Sequence, residues 1–181
     1  EDTLSLHDAL PISLSSARRE LALRKLPMIL PQLDELVEAE GKIVVFAHHR
    51  DVLTSAKTYF GDSAVLVMGG ISATKKQAAV DAFTNDPNVK IFLGNITAAG
   101  QAINLSVANM VVFLELSWVP SEMDQAEERV WLVDKEAPIQ VIRYVVEDSI
   151  DEVMVHVLDA RQENIRKAMN VKRLGVKALV N

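Results

Sequence analysis

The chain has 181 residues, 49% of them apolar and only 5% aromatic, which suits one packed domain with a real core and room for a helical extension. Its formal charge of −6 offers no global attraction to nucleic acid, so any such contact has to come from a local patch. The absence of cysteine excludes a disulfide framework, a thiolate metal site and a cysteine nucleophile.

The first residues are acidic and lack the basic start of a signal peptide. Residues 1–13 fit nothing in the later pattern. They are set aside as a leader, artefactual or disordered, and the chain is read as part of a longer protein. Ser15 to Glu40 has apolar residues at roughly helical spacing, including Leu26, Leu30, Leu33 and Val37. Pro27 and Pro31 predict a kink or two shorter helices in this stretch, and Gly41 ends it. Residues 14–41 therefore form a helical lead-in.

An alternating series follows. Strands are expected at Ile43–Ala47, Ala64–Met68, Val89–Leu93, Met110–Leu114 and Gln140–Val146. Helices are expected at Asp51–Phe60, Ala73–Phe83 (capped by Ser72), Glu122–Val130 and Ile150–Met169, with a basic tail over 171–181. Short strands that are continuously apolar and separated by helices imply a mostly parallel sheet buried on both faces. The expected fold is a three-layer α/β domain over residues 42–170. The run Val107 to Leu116 is broken by Asn109 and Glu115, and no apolar stretch reaches membrane-spanning length.

Ligands of such sheets bind beyond the carboxyl ends of the strands. The polar groups expected there are His48, His49 and Arg50, then Gly69 and Gly70, then Asn95, Thr97 and Gly100, then Glu115, Ser117 and Trp118. There is no Gly-x-x-x-x-Gly-Lys-Ser/Thr loop to cradle phosphates. The pairs Asp34-Glu35 and Asp151-Glu152 fall in predicted helices, which makes them poor magnesium ligands and places them on solvated faces. Adjacent His48 and His49 point to opposite sides of an extended backbone, and no metal site is expected. Gln125 and Arg129 are spaced i, i+4 and share a helix face. On spacing alone they read either as groups facing a γ-phosphate or as a surface Gln and an Arg paired with Glu128 or Glu122.

Taken in order, several segments resemble the second RecA-like lobe of superfamily 2 helicase-type ATPases, in particular the Swi/Snf-type group that includes the annealing helicases. Arg19-Glu20-Leu21-Ala22-Leu23 with Lys25-Leu26-Pro27 is similar to the helix entering that lobe. Lys42 through His49 is similar to motif IV, Gly70-Ile71-Ser72 through Phe83 to the block that follows, and Asn95-Ile96-Thr97-Ala98-Ala99-Gly100 through Leu105 to motif V. Glu115-Leu116-Ser117-Trp118 with Pro120, followed by Gln125-Ala126-Glu127-Glu128-Arg129, resembles the run into motif VI.

The resemblance implies an ATP-dependent DNA translocase or helicase. In it, Gln125, Arg129 and Gly100 face ATP, and Arg129 acts as an arginine finger. His48, His49, Asn95, Thr97 and Ala98 contact the DNA backbone independently of sequence. ATP and magnesium are held mainly by an N-terminal RecA-like lobe, which is the implied partner besides DNA, so this chain alone is expected to be inactive. No membrane is involved, and the implied location is the cytoplasm of a bacterium or phage host, or a eukaryotic nucleus.

The sequence departs from the family pattern at three places: Leu132 replaces a second arginine, Ala102 a glycine, and Lys76 a usual arginine. The first of these leaves open a degenerate lobe that serves as a non-catalytic DNA- or protein-binding module.

Overall fold

A computed structural model describes residues 6–97, 103–131 and 138–168, with side chains from Leu14 to Ala160 within those spans. Among the described residues five helices longer than one turn and five strands follow in the order α1 (Leu6–Glu40), β1 (Ile43–Ala47), α2 (Arg50–Phe60), β2 (Ala64–Val67), α3 (Ala73–Asn85), β3 (Ile91–Asn95), β4 (Met110–Phe113), α4 (Pro120–Glu128), β5 (Gln140–Arg143) and α5 (Ile150–Ala168). The strands form one sheet in the order β2-β3-β1-β4-β5. Every pairing is parallel. The expected α/β fold is present.

The strands are buried on both faces because their residues alternate between two cores. Val44, Phe46, Phe92, Val111 and Phe113 pack on one face with Phe83 of α3, Met123 and Ala126 of α4 and Met154 of α5. Ile43, Val45, Ala47, Leu93 and Val112 pack on the other with Leu26, Ile29 and Leu33 of α1 and Val52, Leu53 and Phe60 of α2. The sheet is thus the middle of three layers. Gly94 of β3 lies against the Phe46 and Phe92 rings of the first core. A Cβ there would lie 2.9 Å from Cε1 of Phe46, whose ring is fully buried and has nowhere to move.

Two helical expectations change. α1 is one continuous helix that starts at Leu6, ahead of Ser15, and runs through Pro27 and Pro31, so these do not divide it into two shorter helices. Pro27 and Pro31 lie on its exposed side, where water can hydrate the carbonyls they leave unbonded, while Ala22, Leu26, Ile29, Leu30 and Leu33 hold the inner side. Asp151 is the second correction. It is not on a solvated face but 6% exposed, in a 2.6 Å ion pair with Lys25 of α1.

Smaller differences lie at element ends. β3 is shifted to include Gly94 and Asn95, β5 stops at Arg143, and α4 begins at Pro120. Ser72 does cap α3, accepting from the Lys75 amide at 3.3 Å. Lys42 closes the other end of α3 by donating to the carbonyls of Phe83 and Asp86. Gly41, at φ +81°, ends α1 in the left-handed region.

Candidate functional site at the carboxyl edge of the sheet

The register fixes which residues emerge together. Ala47 pairs with Asn95 and Phe46 with Phe113, so His48-His49, Asn95-Thr97 and Glu115-Trp118 leave three adjacent strands at one edge. Asn95 ties the first two groups. Its side-chain amide donates to the His48 carbonyl at 2.6 Å, and its oxygen accepts from the Thr97 amide at 3.0 Å and from the Thr97 hydroxyl.

Glu115 ties the first and third. It is 3% exposed, and Oε2 accepts from the backbone amides of His48 at 3.0 Å and His49 at 2.8 Å. Its Oε1 lies 2.6 Å from Nδ1 of His49. His49 is the N-cap of α2 but offers the helix no side-chain cap. The Glu115 carboxylate, just beyond β4, bonds the amides of that residue and the one before it, placing negative charge near the positive end of α2.

The two histidines are not splayed across an extended strand as expected. They lie in a bend, and their rings meet edge to face at 5.0 Å. His48 Nδ1 is buried without a hydrogen-bond partner. Burial holds the imidazole below its ordinary pKa, and the nearby Arg18 and His49 act in the same direction against Glu115 and Glu122. Neutral His48 in the fold and an ordinary imidazole near pH 6.5 in the unfolded chain mean that the unfolded chain binds more protons below pH 6.5. Stability therefore falls as pH drops through that value. Thermal midpoints measured from pH 7.5 down to 5.5 should decline, and His48→Gln should flatten the decline.

Arg18, at 6% exposure, reaches from α1 to the same edge. Its Nη2 donates to the Leu116 carbonyl at 2.6 Å, and its guanidinium stacks 5.7 Å from the Trp118 ring. Burial lowers its pKa, with Glu115 and Asp151 opposing. Ser117 then leads into α4: its hydroxyl donates to Glu122 in the first turn at 2.5 Å and accepts from the Val119 amide at 3.0 Å.

Gln125 is exposed on α4, and Arg129 is half-buried at its C-cap with helical φ and ψ, so the i, i+4 relation survives. The Arg129 carbonyl accepts from the Leu105 amide at 2.9 Å, which joins the end of α4 to the segment following Thr97 in sequence. Glu127 pairs with Arg143 of β5 at 2.6 Å. Ala98, Gly100, Ala102 and Leu132 lie outside the described residues. Lys76 is half-buried in α3.

Among the described residues no group of three or more His, Asp or Glu could hold a metal ion. No helix among them is long and apolar enough to cross a membrane. The sequence assigns Arg18 no role and marks Glu115 as a strand-end polar group and the first residue of the run into motif VI, without a partner for it. The signal for Glu115 was a charged residue closing an otherwise apolar strand.

An all-parallel sheet between two helical layers, with its polar residues gathered at the carboxyl edge, defines a RecA-like α/β domain. Residues 24–132 match the family model described as the helicase conserved C-terminal domain, and the chain belongs to that family. It is 29% identical over 143 residues to the SWI/SNF-related matrix-associated actin-dependent regulator of chromatin subfamily A-like protein 1 of Drosophila melanogaster, an alignment covering 75% of this chain and 18% of that protein. It is 26% identical over 140 residues to the human DNA annealing helicase and endonuclease ZRANB3, covering 76% of this chain and 13% of that protein.

With the DNA repair protein rad8 of Schizosaccharomyces pombe the identity is 30% over 146 residues, 76% of this chain and 12% of that protein. The chain is thus a C-terminal lobe of the Swi/Snf type within superfamily 2, and it spans less than a fifth of each of these relatives. The crystal structure of the C-terminal part of the Fun30 ATPase domain superposes with a TM-score of 0.63 at 23% identity, covering 71% of this chain and 44% of that one, and supports the fold.

Proposed function

We propose that this chain is the C-terminal motor lobe of an ATP-dependent DNA translocase or helicase, inert until an N-terminal lobe supplies the phosphate and magnesium site. The observation that carries the reading is the β1–α2 turn. In a lobe that holds nucleotide phosphate, the amides at such a strand-to-helix turn face the phosphate. Here the turn is His48-His49, without glycine, and both amides are already bonded to the buried carboxylate of Glu115. That position repels a phosphate. The lobe is left with the second role, to face nucleotide held elsewhere through Gln125, Arg129 and Gly100.

DNA is contacted through His48, His49, Asn95, Thr97 and Ala98, the first four of which lie at the carboxyl edge. Such contacts go to phosphates and sugars and read no base. ATP and magnesium serve as substrate and metal of the joined protein.

Leu132 favours a second reading, a degenerate lobe kept as a DNA- or protein-binding module. Leu132→Arg in a protein carrying both lobes separates the two. A weakened motor gains DNA-stimulated turnover, and by analogy with other arginine fingers the gain reaches about 10³-fold or more. A module gains none.

A further inference from the structure

We propose that Glu115 is a positioning residue: it locks the His48–His49 turn to the segment that starts α4, without touching nucleotide or DNA itself. The functional weight of this inference rests on the reading above, but its physical content does not.

The geometry leaves Glu115 little freedom. Its carboxylate is buried and accepts at both oxygens, from two consecutive backbone amides and from the His49 ring. The His48 amide is one of those donors, and the His48 carbonyl accepts from Asn95, which holds Thr97. On the other side, Leu114 donates to the Phe46 carbonyl at 2.9 Å, and Leu116 accepts from Arg18 at 2.6 Å. The next residue, Ser117, is bonded to Glu122 in the first turn of α4. A contiguous set of contacts therefore runs from Thr97 through Asn95, His48 and Glu115 to the helix that carries Gln125 and Arg129. The Leu105–Arg129 backbone bond closes it at the far end of that helix. No sequence-local interaction could do this, because Glu115 and His49 are 66 residues apart.

The carboxylate also dictates the state of a neighbour. A neutral imidazole facing an acceptor at Nδ1 must carry its proton there, which leaves Nε2 as an acceptor. In His49, Nε2 lies 3.3 Å from the Ser15 hydroxyl, which can donate to it. Glu115→Gln reverses the arrangement. The amide oxygen is needed by the two backbone amides, so the NH₂ faces Nδ1, and the proton must move to Nε2.

The test is nitrogen-15 NMR of this chain above the imidazole pKa. The expected result is a predominantly Nδ1–H His49 in the wild type and a predominantly Nε2–H His49 in Glu115→Gln. Backbone amide signals should move at His48 and His49 and also along Glu122 to Arg129. Phe60→Leu, a change in the opposite core at the far end of α2, is the control for general destabilisation and should leave both readings alone. If Glu115→Gln does not fold, Glu115→Asp, which keeps the charge but withdraws it by one methylene, should move the amide signals of His48, His49 and Glu122 to Arg129, and those amide shifts alone then decide. An unchanged tautomer, or amide shifts confined to residues 48 and 49, overturns the proposal. None of these readings needs ATP or DNA, so their failure counts against the role of Glu115, whereas absent turnover in a two-lobe protein counts against the motor reading.

Discussion

Replacing Arg129 with alanine in a protein that carries both lobes should lower DNA-stimulated ATP hydrolysis by about 10³- to 10⁵-fold, the range supplied by arginine fingers. Charge builds on the transferring phosphoryl group in the transition state, and a guanidinium aimed at it stabilises that state more than bound ATP. The loss should therefore fall on kcat more than on KM. Arg129→Lys should recover only part of the rate, because an ammonium keeps the charge and loses the planar fork. Arg129 sits at the C-cap of α4, and its backbone carbonyl bond to Leu105 is independent of the side chain. Steady-state turnover against ATP concentration reads the effect directly. A loss smaller than tenfold would remove Arg129 from the transition state.

Breaking the buried pair between Lys25 and Asp151 should be costly to folding. The two side chains are 7% and 8% exposed and 2.6 Å apart, and Lys25 also donates to the Tyr144 carbonyl at 2.7 Å. Together they tie α1 to the start of α5 and to the chain just beyond β5. Lys25→Met leaves the Asp151 carboxylate buried without its cation, which costs about 3–5 kcal/mol. For a domain of this size that lowers the thermal midpoint by about 6–20 °C. Removing both charges, as in Lys25→Met with Asp151→Leu, should cost far less, because apolar replacement of a whole buried pair is often neutral. Thermal melts of the single and double variants decide it. A single variant no less stable than the double would show that the pair is solvated after all.

Much of the architecture was legible because the sheet is buried on both faces. Runs such as Ile43–Ala47 and Met110–Phe113 have no polar residue to confuse them with loops, and residues such as Ser72 mark where a helix begins. Pro27 and Pro31 do not divide α1 into two helices, because their effect depends on which side of the helix they occupy. Only the packed structure shows both facing solvent. Asp151 misled for the same kind of reason: its partner is 126 residues away.

The site divides along similar lines. The spacing of Gln125 and Arg129 is a local property and was read correctly as a shared helical face, whereas their role came from resemblance. The arrangement around Glu115 is made almost wholly of long-range bonds, so composition and periodicity could mark the residue as unusual but not say what it holds. The alternating side-chain rule also failed at His48 and His49, because the strand ends at Ala47 and the chain bends there.

The central claim is that this lobe completes an ATP site it cannot form alone. The most direct measurement is magnesium-dependent ATP hydrolysis by the chain itself, with and without DNA, beside the same chain joined to an N-terminal RecA-like lobe. The account predicts no turnover above background for the chain alone and DNA-stimulated turnover for the joined protein. Hydrolysis by the isolated chain that survives Arg129→Ala would contradict it.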